Sequence, residues 1–280
     1  TGVQSDGLAP WTAPKISGEK PTLLKAGEAG FNLEEIAALR PDDISDIMFT
    51  SGTTGPSKGV AMPHAQMHFF AEECVSMTRF TTNDAWMTVT PLFHGNALLT
   101  AVMPALVGRG TAVVVERFSA SRYWQQLTTS GTTLTNMLGS MAAILWKQPP
   151  GPHEREHQLR IAQVVPLPTQ TPREFEERYS VATTEVYALT DVGMPIVVPM
   201  GEERPPGACG KLLDGWEVRV VDENDQEVPA GQPGELVVRP TRPAQAASGY
   251  WRMPEATLAA WRNLWMHTGD QLRVDEDGWY

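Results

Sequence analysis

FTSGTTGPSKGV, residues 49–60, decides how this chain is read. An apolar-rich run at residues 44–49 precedes its glycines and is short enough for a strand. Residues 62–79 follow, with apolar side chains at helical spacing and no Gly or Pro after Pro63. Between them, Gly52, Gly55 and Gly59 tolerate positive φ and leave room for close approach, so that consecutive N–H groups can aim at one point. Thr50, Ser51, Thr53, Thr54 and Ser57 add hydroxyl donors, and Lys58 adds a positive charge. The combination predicts a nest for phosphate oxygens. A Walker loop is excluded, because no Gly-Lys-Ser/Thr occurs; the spacing is Gly52-x-x-Gly55-x-x-Lys58-Gly59.

The rest of the chain is ordinary for a globular protein. Its 280 residues suffice for one large domain or two, with 41% hydrophobic and 20% charged residues. A net charge of -11 argues against a general nucleic-acid surface. Cys74 and Cys209 have no CxxC spacing, so neither a disulfide framework nor a zinc site is indicated, and Cys74 reads as a small buried hydrophobe. No apolar run reaches membrane-spanning length and no signal segment is visible, so a cytoplasmic enzyme is the expectation.

Taken in order, residues 1–43 read as irregular, with a short amphipathic segment at 33–39 stopped by Pro41. Residues 44–200 alternate strand and helix. Strands are expected at 85–90, 111–115, 132–137, 161–165 and 183–187, and helices at 96–107, 119–130, 140–147 and 172–179. Ser119 is the expected N-cap of the second of these helices and Gly131 its stop. Repeated β-α-β units imply a parallel sheet with helices on both faces. Residues 201–280 read as a small antiparallel β-module. It has strands at 217–221 and 235–238, a helix at 254–260, and a hairpin turn at Asp275-Glu276-Asp277-Gly278 after a strand at 271–274.

Further motifs appear in the order PLFHGNA (residues 91–97), YALTD (187–191), GELVVRP (234–240) with GYWRMPEAT (249–257), and HTGD (267–270). With the Gly/hydroxyl loop, this series resembles the adenylate-forming superfamily: acyl-CoA synthetases, luciferases and the adenylation domains of peptide synthetases. The resemblance covers roughly residues 44–280. It implies part of the large N-terminal domain of those enzymes. It also implies ATP-dependent activation of a carboxylic acid as an acyl-adenylate, then thioester formation with CoA, an acid–thiol ligase of fatty-acid-type metabolism. ATP, Mg2+ and CoA are the implied cofactors.

By resemblance, Thr50, Ser51, Gly52, Thr53, Thr54, Gly55 and Lys58 hold the phosphates. Tyr187 flanks adenine, Thr190 contacts the α-phosphate, Asp191 is the magnesium carboxylate, and Asp270 accepts from the ribose hydroxyls. His94 and Gly95 belong to the carboxylate pocket, while Tyr250 and Trp251 pack and the PEAT run caps a helix. Two residues depart from the family's Tyr-Gly-x-Thr-Glu: Ala188 replaces Gly, and Asp191 is one methylene shorter than Glu.

VVPLPTQTP (residues 164–172) stands where most members carry Gly-Gly-Ala-Pro. With FSASRYWQQL (118–127) and QPPGPHEREHQLR (148–160), it looks like the carnitine/crotonobetaine-CoA ligase branch. The chain reads as the central part of a larger enzyme, without the mobile C-terminal domain that supplies the adenylation lysine. It is therefore expected to be inactive alone, and oligomeric, poorly soluble or associated with the missing segments. A nucleotide-binding remnant without ligase activity and a domain that loads a carrier protein are the alternative readings.

Overall fold

The computed structural model describes residues 38–50, 57–167 and 172–280. Its centre is a five-stranded parallel sheet in the order β4-β3-β5-β6-β7. The strands are β3 (Ala85–Thr88), β4 (Thr111–Val114), β5 (Leu134–Leu138), β6 (Ile161–Val165) and β7 (Ala182–Thr184). Strand residues alternate between two apolar layers, as a sheet covered on both faces requires. Met87, Met137, Ala162 and Val164 face α4 (Tyr123–Ser130), α5 (Gly139–Lys147) and α6 (Pro172–Tyr179), through Tyr123, Leu127, Leu145 and Tyr179. Trp86, Leu134 and Ile161 face α1 (His64–Thr78) and the helical segment that follows β3. That segment runs through α2 (Gly95–Ala97), a π turn (Leu98–Val102) and α3 (Met103–Val107). Trp86, Tyr123 and Tyr179 are wholly buried, and each large apolar side chain so placed contributes about 1.5–3 kcal/mol.

At the N-terminal edge of the sheet, one carboxylate ties three strand starts together. Asp84, just before β3, accepts from Arg160 Nε (3.0 Å) and Nη2 (2.9 Å), from Thr133 Oγ1 (2.7 Å) and from the Thr81 amide (2.8 Å). Arg160 Nη1 also donates to the Thr78 carbonyl at 2.7 Å, which secures the end of α1. Burial pushes the Asp84 carboxyl up, but Arg160, Thr133 and Thr81 outweigh it and hold the group well below the usual carboxylate range.

Two antiparallel sheets follow the parallel one in the chain. β8 (Val186–Leu189), β9 (Gly193–Val197) and β10 (Lys211–Leu212) form one in the order β10-β9-β8. β11 (Trp216–Val221), β12 (Gly234–Pro240), β13 (Trp261–Arg262) and β14 (Trp265–Leu272) form the other in the order β11-β12-β14-β13, with α7 (Pro254–Ala260) before β13. Helices on both faces of a parallel sheet, with a small antiparallel module, is the architecture the sequence predicts.

Several expectations are corrected. The segment after the signature loop opens as a strand: β1 (Ile44–Thr50) pairs antiparallel with β2 (Lys58–Pro63), and α1 starts only at His64. Gly59 is therefore extended and lacks positive φ. It is needed for space, since a Cβ there would lie 2.9 Å from Ile47 Cγ2.

Residues 183–187 are two strands in different sheets, because Glu185 breaks the run and its carboxylate pairs with Arg204. Ser119 caps nothing: it sits in a turn, and the helix starts at Tyr123 after Arg122. Gly131 does end that helix, at φ 64°. The Asp275–Gly278 turn exists, but no strand covers residues 273–274, so it closes no hairpin within the sheet. Trp251 does not pack; it is 48% exposed. The PEAT residues are the first turn of α7 itself. The amphipathic segment predicted at 33–39 falls almost entirely outside the described residues.

Candidate functional site

The candidate site gathers around the turn between β8 and β9, residues 190–192. Gln66 on α1 fixes that turn: its Nε2 donates to the Thr190 carbonyl at 2.8 Å and to the Val192 carbonyl at 3.1 Å. The Asp191 carbonyl accepts from the Ala247 amide at 3.1 Å. Helix and β-module thus grip the same three residues, and the Asp191 side chain is aimed by its backbone. Gln66 is 1% exposed. A buried glutamine inside an otherwise apolar helical run is the sequence signal that could have found it.

Lys58 reaches the same place by strand pairing. The first residue of β2, it is aligned with Thr50, and the Ser57 hydroxyl closes the hairpin by donating to the Thr50 carbonyl at 2.8 Å. Residues 248–251 zip onto β2 through Ser248 N to Ala61 O (2.9 Å), Ala61 N to Gly249 O (2.9 Å) and Trp251 N to Gly59 O (2.7 Å). This pairing lays the Tyr250 ring under Lys58, with Nζ 4.6 Å from the ring centroid. The Tyr250 amide donates to Thr257 Oγ1 at 2.9 Å, so α7 holds the ring in position.

Burial raises the Asp191 carboxyl, while the Tyr250 phenol and Lys58 pull it down. Burial and the Asp191 charge push the Tyr250 phenol far up. Tyr250, predicted as a packing residue, is thus part of the site; its link to Asp191 spans 59 positions in sequence and only the fold reveals it.

Tyr187 and Asp270 form a second pair beside this one. The Tyr187 hydroxyl donates to Asp270 Oδ2 at 2.6 Å, and burial pushes the phenol's pKa far up. The Asp270 turn is held from the β-module: Glu235 Oε1 accepts from the Gly269 amide at 3.0 Å, and Thr268 Oγ1 accepts from the Asp270 amide at 3.1 Å. Ala188, where the superfamily has Gly, packs against the core.

His94 and Gly95 stand elsewhere in the arrangement. His94 is exposed and its Nδ1 accepts from the Asn96 amide at 3.0 Å, which caps α2. A Cβ on Gly95 would lie 3.6 Å from Met48 Sδ, so the start of α2 abuts β1. Among the predicted site residues, Ser51, Gly52, Thr53, Thr54 and Gly55 fall outside the described residues.

The donor set suits a hard cation shared with phosphate. Among the described residues Asp191 Oδ1 is buried without a hydrogen-bond partner, the kind of oxygen that can serve a cation. No cluster of three or more His, Cys, Asp or Glu that could hold a metal occurs among the described residues.

The model of the family described as AMP-binding enzyme matches residues 4–251. The crotonobetaine/carnitine–CoA ligase of Salmonella agona (strain SL483) is 32% identical over 246 residues, covering 87% of this chain and 48% of that protein. The chain thus spans about half the length of the curated relatives it matches. Among solved structures, ATP-bound MatB from Rhodopseudomonas palustris has a TM-score of 0.76 and 30% identity, over 86% of this chain and 48% of that one. The O-succinylbenzoate CoA synthetase MenE from Bacillus subtilis, in complex with AMP, has a TM-score of 0.75 over 86% of this chain and 49% of that one. At 24% identity, it speaks for the fold alone. The match across nearly the whole chain, on a fold and motif order already in place, shows that this chain belongs to the AMP-binding enzyme family.

Proposed function

We propose that the protein carrying this chain activates a carboxylic acid with ATP and passes the acyl group to CoA. The acid's carboxylate oxygen attacks the α-phosphorus, pyrophosphate leaves, and the CoA thiolate then displaces AMP from the acyl carbon. The observation that carries this reading is the convergence on residues 187–191: Lys58 and Tyr250 around Asp191, and Asp270 on Tyr187. In this reading Lys58 neutralises charge on the phosphates, together with the hydroxyls and amides of Thr50, Ser51, Gly52, Thr53, Thr54 and Gly55. Thr190 contacts the α-phosphate, and Tyr187 flanks the adenine. Asp270 takes the ribose diol, which must share or displace the Tyr187 hydrogen bond. His94 and Gly95 border the acid. Catalysis of the first step is then mostly positioning and charge neutralisation.

Asp191 would hold Mg2+ jointly with the phosphate oxygens, and the ion would supply further charge neutralisation there. The curated relatives are CoA ligases, which supports CoA as acceptor over a carrier protein. Residues 44–200 serve as the nucleotide-binding subdomain and 201–280 as the β-rich subdomain. A cytoplasmic location and self-association belong to the same proposal. No helix among the described residues is long and apolar enough to cross a membrane.

The test is pyrophosphate release and thioester formation by the gene's complete product over a panel of acids, with calorimetry of ATP and AMP on wild type and Lys58→Ala. The proposal expects turnover with at least one acid, and a larger loss of ATP than of AMP affinity in the variant. Equal ATP affinity in both proteins removes Lys58 from its role. Absence of pyrophosphate release with every acid leaves a nucleotide-binding protein without ligase activity.

A further inference from the structure

The buried face of the parallel sheet changes character along its strands. On the side covered by α1 and the π turn, Trp86, Leu134 and Ile161 form an apolar row. Two residues further on, the same three strands and β7 present Thr88, Asn136, Gln163 and Thr184. Met87↔Thr135 pairing puts Thr88 beside Asn136, and Asn136↔Gln163 and Gln163↔Thr184 are direct partners. Thr88, Asn136 and Gln163 are 0% exposed and Thr184 is 4% exposed. This polar row lies toward the C-terminal ends of the strands. There the chain order reverses between β3 and β5, the place where open parallel sheets take ligands.

The row is not satisfied internally. Among the described residues, Asn136 Oδ1 and both Gln163 side-chain atoms, Nε2 and Oε1, are buried without a partner. Turning the amides over changes nothing: Gln163 lacks partners at both atoms. Asn136 must point Nδ2 at two oxygens of Asn96, the carbonyl and Oδ1. Asn96 Oδ1 also accepts from Thr90 Oγ1 at 3.2 Å, which ties the row to the turn that carries His94. The π turn Leu98–Val102 begins two residues after Asn96. Such turns are frequent at functional sites, because they re-aim the helix face over a bound group.

We infer that the acid this protein activates carries a neutral hydrogen-bonding group, a hydroxyl or primary amide, that is received by Asn136 and Gln163. The inference rests on the ligase reading and deepens it. The unpaired atoms are two acceptors and one donor, which a group that both donates and accepts can answer together. An alkyl chain leaves all three unpaired. A quaternary ammonium offers no donor, and the buried Glu185 carboxylate is already paired with Arg204.

The experiment measures pyrophosphate release by the complete gene product with acids of equal length ending in methyl, hydroxyl, amide or trimethylammonium. The hydroxyl or amide acid is expected to exceed the methyl acid in kcat/KM by at least about tenfold, because buried polar groups reject an analogue that leaves them unpaired. Gln163→Leu, similar in volume, is expected to raise Tm while bringing that ratio to within about twofold. Asn136→Leu gives an independent reading if the first variant does not fold. A wild-type ratio near one overturns the inference and leaves the ligase reading standing. A higher Tm in Gln163→Leu with the ratio unchanged also overturns it, and assigns the row to internal water only. No release with any acid removes the ligase reading, and this inference with it.

Discussion

The two edges of the parallel sheet treat buried polar groups in opposite ways. At the N-terminal edge, Asp84 receives donors from Arg160, Thr133 and Thr81, and every element it touches is tied to it. At the C-terminal edge, Asn136 and Gln163 keep buried atoms without partners, and beyond β8 Asp191 keeps another. A satisfied network adds stability and specifies one arrangement; unpaired groups cost stability and persist where something binds. The contrast separates the part of the molecule that holds the fold from the part free to do chemistry, and it can be broken from either side.

The largest effect is expected on the side of the chemistry. In the complete gene product, Lys58→Ala should slow pyrophosphate release by roughly 10²–10³-fold, the usual loss when one preorganised group is removed from a reacting oxyanion. Its Tm should stay near wild type, because Lys58 is only half-buried and its contact is to one ring. A rate within threefold of wild type ends the proposed role of that residue.

The mirror experiment is at the other edge. Arg160→Met strands Asp84 at 7% exposure, and should cost about 3 kcal/mol in denaturant unfolding, the low end for breaking a buried pair. The low end applies because Arg160 keeps 35% of its side chain in water. ATP affinity, measured below the new Tm, should be unchanged. A parallel loss of affinity and stability would erase the distinction between the edges.

A third prediction probes the seam between α1 and the β-module. Glu73 is 7% exposed; its Oε1 accepts from Trp216 Nε1 at 3.0 Å and Gln245 Nε2 at 3.2 Å, and Oε2 has no partner. Burial raises its carboxyl to about 7, against the hydrogen bonds of Trp216 and Gln245. The folded state therefore holds a proton that the unfolded chain releases near 4.5, the ordinary value for a glutamate. The resulting stability is fully present below pH 4.5, falls as pH rises, and is gone above about pH 7, a change of up to about 3 kcal/mol. Glu73→Gln keeps the acceptor and removes the charge. Chemical denaturation at pH 5 and pH 8 should show the decline in wild type and its absence in the variant; the same slope in both would assign it to other groups.

The smallest effect sharpens the site itself. Gln66→Leu removes the two bonds that fix residues 190–192. AMP affinity should weaken by roughly tenfold with little change in helical circular dichroism, the scale of one or two net hydrogen bonds. An unchanged affinity would show that the Ala247 amide alone suffices to hold the turn.

The sequence by itself determined the layered parallel sheet. Runs such as residues 161–165 and 172–179 carry their period and their stop signals locally, and both elements form within those bounds. It also singles out residues 49–60 as the proposed phosphate loop, because glycines, hydroxyls and a lysine packed into one short stretch have few other uses. It did not show β2, because residues 58–60 read as the end of the Gly-rich loop and 62–63 as the start of the helix until residues 248–251 pair with them. It read Tyr250 only as a packing residue and did not single out Gln66, Asn136 or Gln163.

Each of these four has a bland local context and acquires its meaning from a partner far along the chain. Tyr250 gains Lys58 only after the β-module zips onto β2, and Gln66 gains Thr190 only after α1 lies across the β8–β9 turn. Asn136 stands beside Gln163 only because β5 and β6 pair in one register. Periodicity and turn chemistry act over a few residues and are written locally. Hydrogen-bond satisfaction of buried groups is decided by register and packing between distant segments, which only the tertiary structure sets.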